Sequence, residues 1–194
     1  MKHLKWAVTG GIGSGKSYVC KILKAHGIDV FDCDASAKRL MRTSESLKQQ
    51  LVALIGDNVY IEGRLNKAAV ADFMMQSPHN IQLVNGLVHP AVARDFLSSG
   101  MAWMECAILF ESGFDRFVDR VVCVTAPLET RIRRIIDRDH ITREKAIEWI
   151  DKQLPQALVV ERSHYEIVND GYADVGAQVE ELLRSEACSA DKND

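Results

Sequence analysis

Short apolar runs and stretches of helical periodicity alternate along this chain, separated by turns rich in glycine and acidic residues. The first apolar run, residues 3–9 around Trp6-Ala7-Val8, predicts a strand. Residues 16–26 then place Val19, Ile22 and Leu23 on one helical face, with Gly27 positioned as C-terminal cap. Ile28 to Phe31 predicts a second strand, ending at Asp32-Cys33-Asp34. Strand, helix and strand in this order form a βαβ unit with a right-handed crossover. In open sheets built this way, ligands sit beyond the carboxyl ends of the strands. The loop after the first strand and the two aspartates after the second are therefore expected at one edge.

From Ala35 to about Gly100 the pattern is mostly helical. Leu40, Met41, Leu47, Leu51, Leu54 and Ile55 carry helical spacing over two helices or one broken one. Gly56-Asp57-Asn58 and Glu62-Gly63 read as turns, and Asn66 as the cap of a helix through Phe73. Ser77-Pro78 starts a helix through Ile81, Val84 and Leu87. His89-Pro90 is expected to interrupt it, with Pro90 in the first turn of the next helix. An all-helical insertion of roughly 65 residues far exceeds the dozen or so that a crossover needs. It reads as a substrate-binding subdomain.

Met101 to Phe110 predicts the third strand, apolar on both sides like a central parallel strand, and Glu111-Ser112-Gly113 ends it. Arg120 to Val124 predicts the fourth. Thr125-Ala126-Pro127 turns into a helix carrying Arg131, Arg133, Arg134 and Arg138. Residues 139–142 break it, and Thr142 starts another helix running through Gln153. Glu166 to Val168 is the fifth strand, Asn169-Asp170-Gly171 a turn, and Val175, Val179, Leu182 and Leu183 mark a final amphipathic helix.

Between the first strand and first helix stands Gly10-Gly11-Ile12-Gly13-Ser14-Gly15-Lys16-Ser17, which fits G-x-x-x-x-G-K-[ST] in the context that motif requires. Its glycines let the backbone wrap a phosphate, and the helix adds its positive end. Lys16 can reach the outer phosphates of a nucleoside triphosphate, and Ser17 can hold a magnesium ion. A dinucleotide fingerprint fails on spacing, because Lys16 stands where Gly11-x-Gly13 would need its third glycine.

Asp34 is the candidate general base, because a hydroxyl attacking the γ-phosphate must lose its proton and a carboxylate beside the phosphate cradle can take it. The other reading of Asp34 is a helix N-cap. Asp32 either holds magnesium through water or positions Asp34. Among the four arginines, one is expected to cover the equatorial oxygens of the transferring phosphoryl group. Arg138, next to the break, is the candidate. Two or three of the four read as a solvated face paired with Glu129, Asp137 and Asp139, which leaves open whether Arg131, Arg133 or Arg134 also has a role at the site. The hinged helical pair reads as a lid that excludes water. Glu111 stands where an acid for metal or substrate is useful, and His89 is a candidate substrate contact. Trp103 and Trp149 read as core or interface.

Composition narrows the class. The chain has 194 residues, 47% of them hydrophobic, which suits one globular domain with an inserted subdomain. A net charge of −3 lacks the basic excess of a nucleic-acid binder. The first apolar run is too short for a signal peptide, and no run reaches the ~18 residues of a membrane span. Cys20, Cys33, Cys106, Cys123 and Cys188 are scattered with no C-x-x-C pair, so free thiols in a cytoplasmic protein are expected, without nucleic-acid or membrane partners. The polar end from Ser189 reads as frayed. A GTP-dependent switch would want an N-K-x-D base-reading motif, and the chain has none.

Thr9 to Ser17, Asp32-Cys33-Asp34 with Arg39, His89-Pro90, Leu109-Phe110-Glu111, Arg134 and Arg138 before Asp139, Gln153, and Asn169-Asp170-Gly171 together closely resemble the dephospho-CoA kinase family, over about residues 4–183. The resemblance implies transfer of the γ-phosphate of ATP, with Mg²⁺, to the ribose 3′-hydroxyl of dephospho-CoA, giving CoA and ADP. It implies a P-loop NTPase-like three-layer α/β fold with a five-stranded parallel sheet, an inserted helical substrate subdomain and a helical lid. The core then falls on about residues 1–34, 101–127 and 156–186, the subdomain on 35–100 and the lid on 128–155. It further implies ATP binding by Gly11, Gly13, Ser14, Gly15, Lys16, Ser17 and Tyr18, the catalytic aspartate at Asp34 and the lid arginine at Arg138. Substrate contacts are expected from Asp34, Lys67, His89 and Glu111, and magnesium contacts from Ser17 and Asp32, in a monomer or small homo-oligomer. The chain departs from the family with Cys33 for Ala, Ala107-Ile108 for Pro-Leu, Tyr18 for Thr and Lys67 for Arg. Lys67 keeps the charge but not the bidentate fork. Another small-molecule P-loop kinase, of nucleoside monophosphate or shikimate type, is the alternative.

Overall fold

The computed structural model describes residues 4–190, with side chains up to Ser185, so the Cys188 thiol and the polar end lie outside the described side chains. In chain order the elements begin with β1 (Trp6–Thr9), α1 (Lys16–Ala25), β2 (Val30–Asp32), α2 (Cys33–Thr43) and α3 (Glu45–Ile55). A 3₁₀ turn (Asp57–Val59), β3 (Tyr60–Ile61), β4 (Arg64–Leu65), α4 (Lys67–Met75) and α5 (Pro78–Ser98) follow. Next come β5 (Trp103–Glu105), a second 3₁₀ turn (Phe114–Phe117), β6 (Arg120–Thr125), α6 (Leu128–Asp139) and α7 (Arg143–Asp151). The last are α8 (Gln156–Glu161), β7 (Tyr165–Val168) and α9 (Val175–Ala190). The five-stranded parallel sheet has the order β2-β5-β1-β6-β7, and β3-β4 is a separate antiparallel pair. The chain forms two compact units, one holding the chain up to Val30 and from Met101 on, the other Phe31–Gly100.

In the first unit β1 is the central strand, paired with β5 and β6, and all four of its residues are buried. Side chains alternate along a strand. Trp6 and Val8 therefore join Val19 and Leu23 of α1 and Val175, Val179 and Leu182 of α9 in one apolar core. Trp6 pairs in register with Trp103, and the two rings stack at 4.7 Å with Tyr165 beyond at 5.7 Å. Each fully buried side chain of this kind stabilises by about 1.5–3 kcal/mol. α1 stops at a Schellman cap: Gly27, at φ +79°, donates to Lys24 and Ile28 to Leu23.

β5 is far shorter than the strand expected over 101–110. Its ladder reaches only to Cys106, whose N–H donates to Val8. After that the chain turns on itself, Ser112 donating to Ile108 and Phe114 to Leu109, and buries Leu109 and Phe114 inward. The apolar run over 106–110 thus fills a buried turn, a case in which hydrophobicity without strict alternation does not report a strand.

In the second unit, α5 runs unbroken from Pro78 to Ser98 with Pro90 inside it, where the sequence pattern expects an interruption. An internal proline costs about 3 kcal/mol in a helix. Val84, Val88, Val92 and Phe96 recur every four residues on both sides of Pro90 and are all buried, so tertiary packing carries the helix through. The insertion is not wholly helical either, since Glu62-Gly63 closes the small β3-β4 hairpin. Asn66 caps α4 as expected, accepting from Ala69 N–H while its amide donates to the Asn58 carbonyl. Asn66→Ala is expected to lower unfolding free energy by about 1 kcal/mol, read from urea denaturation. Among the described residues, no helix is long and apolar enough to cross a membrane.

Candidate active site

The glycine loop is wrapped by side chains from elsewhere in the first unit. Gly13 and Gly15 have φ of +81° and +99°. A Cβ on Gly13 would meet the Arg131 carbonyl oxygen at 2.7 Å, and one on Gly15 the Asn169 side-chain amide at 2.0 Å, so only glycine fits. Gly15 is the N-cap of α1. No side chain caps this helix and its first turn holds no acid, so its positive end suits an anion. Lys16 is buried and donates to the Gly10 carbonyl at 2.9 Å, while Ser17 and Tyr18 are exposed. Ser14 Oγ is buried with no hydrogen-bond partner among the described residues. Such a group costs about 1–3 kcal/mol unpaired, and a phosphate oxygen in the loop would give it an acceptor.

The carbonyls of Ile12, Gly13 and Ser14 are taken by side chains distant in sequence. Arg131 Nε donates to Ile12 at 2.9 Å, Arg134 Nη1 to Gly13 and Ser14 at 3.3 and 3.2 Å, and Asn169 Nδ2 to Ser14 at 2.9 Å. Arg134 Nη2 also donates to Asn169 Oδ1, closing the ring of contacts. The Ile12 N–H donates to Gln153 Oε1 at 2.7 Å. Burial pushes the Arg131 guanidinium below its usual pKa. Burial, and then the Glu166 carboxylate, push the neighbouring Cys123 thiol up to about 12, so it stays protonated and inert.

This arrangement narrows the reading of the arginine run. Arg131 is buried and Arg134 half-buried, both against the loop, so neither belongs to a solvated face. Arg133 is exposed. Arg138 is also exposed and donates to its neighbour Asp139 at 2.7 Å, and Glu129 pairs with Arg143 rather than with the run. Glu111 does not end a strand. It stands in the turn after β5, where its carboxylate accepts from the Leu154 N–H at 3.0 Å. Periodicity carries no signal for Arg131, Gln153 or Asn169 at the loop; Gln153 and Asn169 stand out only in the motif resemblance. The turn that sets Asn169 is closed by Asp170, whose carboxylate accepts from the Tyr172 and Ala173 N–H groups.

In the second unit, Asp32 is the N-cap of α2, accepting from Ala35 N–H at 2.8 Å. Asp34 lies inside the first turn, exposed, and takes no part in the cap, so the capping role falls to Asp32. Further along α2, Ser36 and Arg39 both bond Asp95 of α5. Burial pushes the Asp95 carboxyl up, but the bonds from Ser36 and Arg39 and the Arg39 charge outweigh it and hold the group below its usual pKa. His89 is half-buried on α5, and burial lowers its pKa. Lys67 opens α4 and joins Lys38 and Arg42 of α2 around a cavity of about 330 Å³, lined also by Met41, Leu65 and Val70. Asp34, Lys38 and Arg42 recur every four residues, one turn apart along α2.

A parallel sheet, a G-x-x-x-x-G-K-S loop opening onto α1, and arginines from a following helical hairpin define a P-loop protein of the small-molecule kinase class. The dephospho-CoA kinase family model matches residues 5–174. The chain belongs to that family. A dephospho-CoA kinase of Bacteroides fragilis is 36% identical over 187 residues, spanning 93% of this chain and 91% of the relative. Among solved structures, TT1252 from Thermus thermophilus superposes with a TM-score of 0.83 at 29% identity, covering 95% of this chain and 98% of that one. Shikimate kinase from Acinetobacter baumannii superposes with a TM-score of 0.57 at 14% identity, covering 97% and 95%, and shares the fold.

Proposed function

We propose that this protein transfers the γ-phosphate of ATP to the ribose 3′-hydroxyl of dephospho-CoA, giving CoA and ADP. The observation that carries the reading is the glycine loop, with an uncapped helix N-terminus and a buried, unpartnered Ser14 hydroxyl at a motif built for a nucleotide's phosphates. Family membership supplies the acceptor. In this reading the loop from Gly11 to Ser17 binds the phosphates, with Tyr18 beside it, and Lys16 meets the γ-phosphate. Asp34 accepts the 3′-hydroxyl proton as the new O–P bond forms and the bond to the β-phosphate bridging oxygen breaks. Arg138 stands by the turn between α6 and α7, the lid's tip, and would leave Asp139 for the transferring phosphoryl group. Lys67, His89 and Glu111 are assigned to the substrate.

The donor set fits magnesium that arrives with the nucleotide. Among the described residues no group of three or more His, Cys, Asp or Glu could hold a metal by itself. A hydroxyl and a carboxylate, here Ser17 and Asp32, suit an ion that takes its other ligands from phosphates and water. When bound, the ion neutralises charge on the β- and γ-phosphates. We place the reaction in the cytoplasm, carried out by a monomer or small homo-oligomer. ADP release coupled to a colour reaction, with dephospho-CoA, nucleoside monophosphates and shikimate as rival acceptors, tests the assignment. Turnover is expected with dephospho-CoA alone; turnover with another acceptor and none with dephospho-CoA would overturn it.

A further inference from the structure

We infer that Gln153 and Arg131 are positioning residues that clamp the Ile12 peptide and hold the phosphate loop in its binding shape before ATP arrives. Ile12 is held at its N–H, its carbonyl and its side chain. Its N–H donates to Gln153 Oε1 at 2.7 Å, just past the end of α7. Its carbonyl accepts from Arg131 Nε of α6 at 2.9 Å. Its side chain packs on the apolar core formed between α6 and α7 by Ile132, Ile135, Ala146 and Ile150. All three anchors come from the same helical hairpin, more than a hundred residues away in sequence.

The need for a clamp follows from the loop's chemistry. A loop this rich in glycine loses much conformational entropy when it orders around a ligand. Anion binding requires its successive N–H groups to converge, with its carbonyls turned away. Fixing the Ile12 peptide by its outer groups settles that orientation in advance and removes part of the ordering cost from nucleotide binding. Arg131 also fills the space beneath Gly11, where a Cβ would lie 2.2 Å from its Nη2. Gln153 is therefore the cleaner probe, because truncating Arg131 leaves a void as well as a lost bond.

Gln153→Met keeps the side-chain length and removes the acceptor, leaving the Ile12 N–H unpaired. Calorimetric titration of the apo enzyme with ATP is expected to show Kd rising about tenfold. KM for dephospho-CoA and kcat at saturating ATP stay within about twofold. Amide hydrogen exchange across residues 12–15 of the apo protein quickens, and Gln153→Glu, which keeps the acceptor oxygen, returns it to the wild-type rate. ATP affinity within twofold of wild type in Gln153→Met would overturn the clamp. A fall in affinity for both substrates together with a lower melting temperature would reduce Gln153 to a structural role and overturn it as well. The inference rests on the loop binding ATP. Wild-type protein that takes up no ATP would overturn that assignment itself, whereas wild-type binding with an unaffected Gln153→Met overturns the clamp alone.

Discussion

Asp34→Asn is expected to cut turnover about 10²–10⁴-fold, the usual contribution of a positioned proton acceptor, while ATP affinity stays within about twofold. The substitution is nearly isosteric and removes the ability to accept a proton at neutral pH. Asp34 is a good position for such a probe because α2 does not depend on it: the helix is capped by Asp32 through Ala35, and the Asp34 side chain is exposed. Helix capping and the proposed proton transfer thus fall on two different carboxylates, two residues apart. Asp32→Asn should behave differently, since Asn caps about as well as Asp but binds magnesium more weakly. Its turnover is expected to recover as magnesium is raised, and that of Asp34→Asn is not. Steady-state rates at several magnesium concentrations, with ATP affinity measured separately, distinguish the two. An Asp34→Asn enzyme with unchanged turnover would remove Asp34 as the base.

The first two strands and the helix after the loop were legible because strong local signals mark them. Glycine and aspartate punctuate the ends of β1 and β2, and Val19 and Leu23 report the buried face of α1 directly. What was not legible depends on packing at a distance. Pro90 is a strong local breaker, yet the four-residue spacing of Val84, Val88, Val92 and Phe96 across it keeps α5 whole. The run over 106–110 is as apolar as a strand, but it buries Leu109 in a turn. The phosphate loop itself was plain from its motif, whereas Arg134, Gln153 and Asn169 were marked only by the family resemblance, with no role at the loop, and Arg131 not even by that. Arg131, Arg134 and Asn169 bond main-chain carbonyls, which every residue possesses, so no residue pairing in the sequence points to them. Charge pattern favoured Arg138 because it neighbours the helix break, whereas burial singles out Arg131 and Arg134.

Lys16→Met is expected to lower kcat about 10²–10³-fold, the scale seen when one donor to developing transition-state charge is removed. Methionine matches the buried stem of Lys16 in length, so packing under the loop survives and only the ammonium is lost. In the apo protein that ammonium bonds the Gly10 carbonyl at 2.9 Å, at the start of the loop. Losing this bond loosens one end of the loop, while Arg131, Arg134 and Asn169 still hold the carbonyls of residues 12–14. ATP affinity is therefore expected to fall less than kcat, and KM for dephospho-CoA to change by no more than about twofold. The contrast with Gln153→Met is sharp: that variant should bind ATP weakly and turn over normally at saturation, and Lys16→Met should bind ATP and turn over poorly. Rates measured across an ATP series, with melting temperatures as a control for folding, separate them. A kcat within about threefold of wild type would make Lys16 a strut of the loop with no share in phosphoryl transfer.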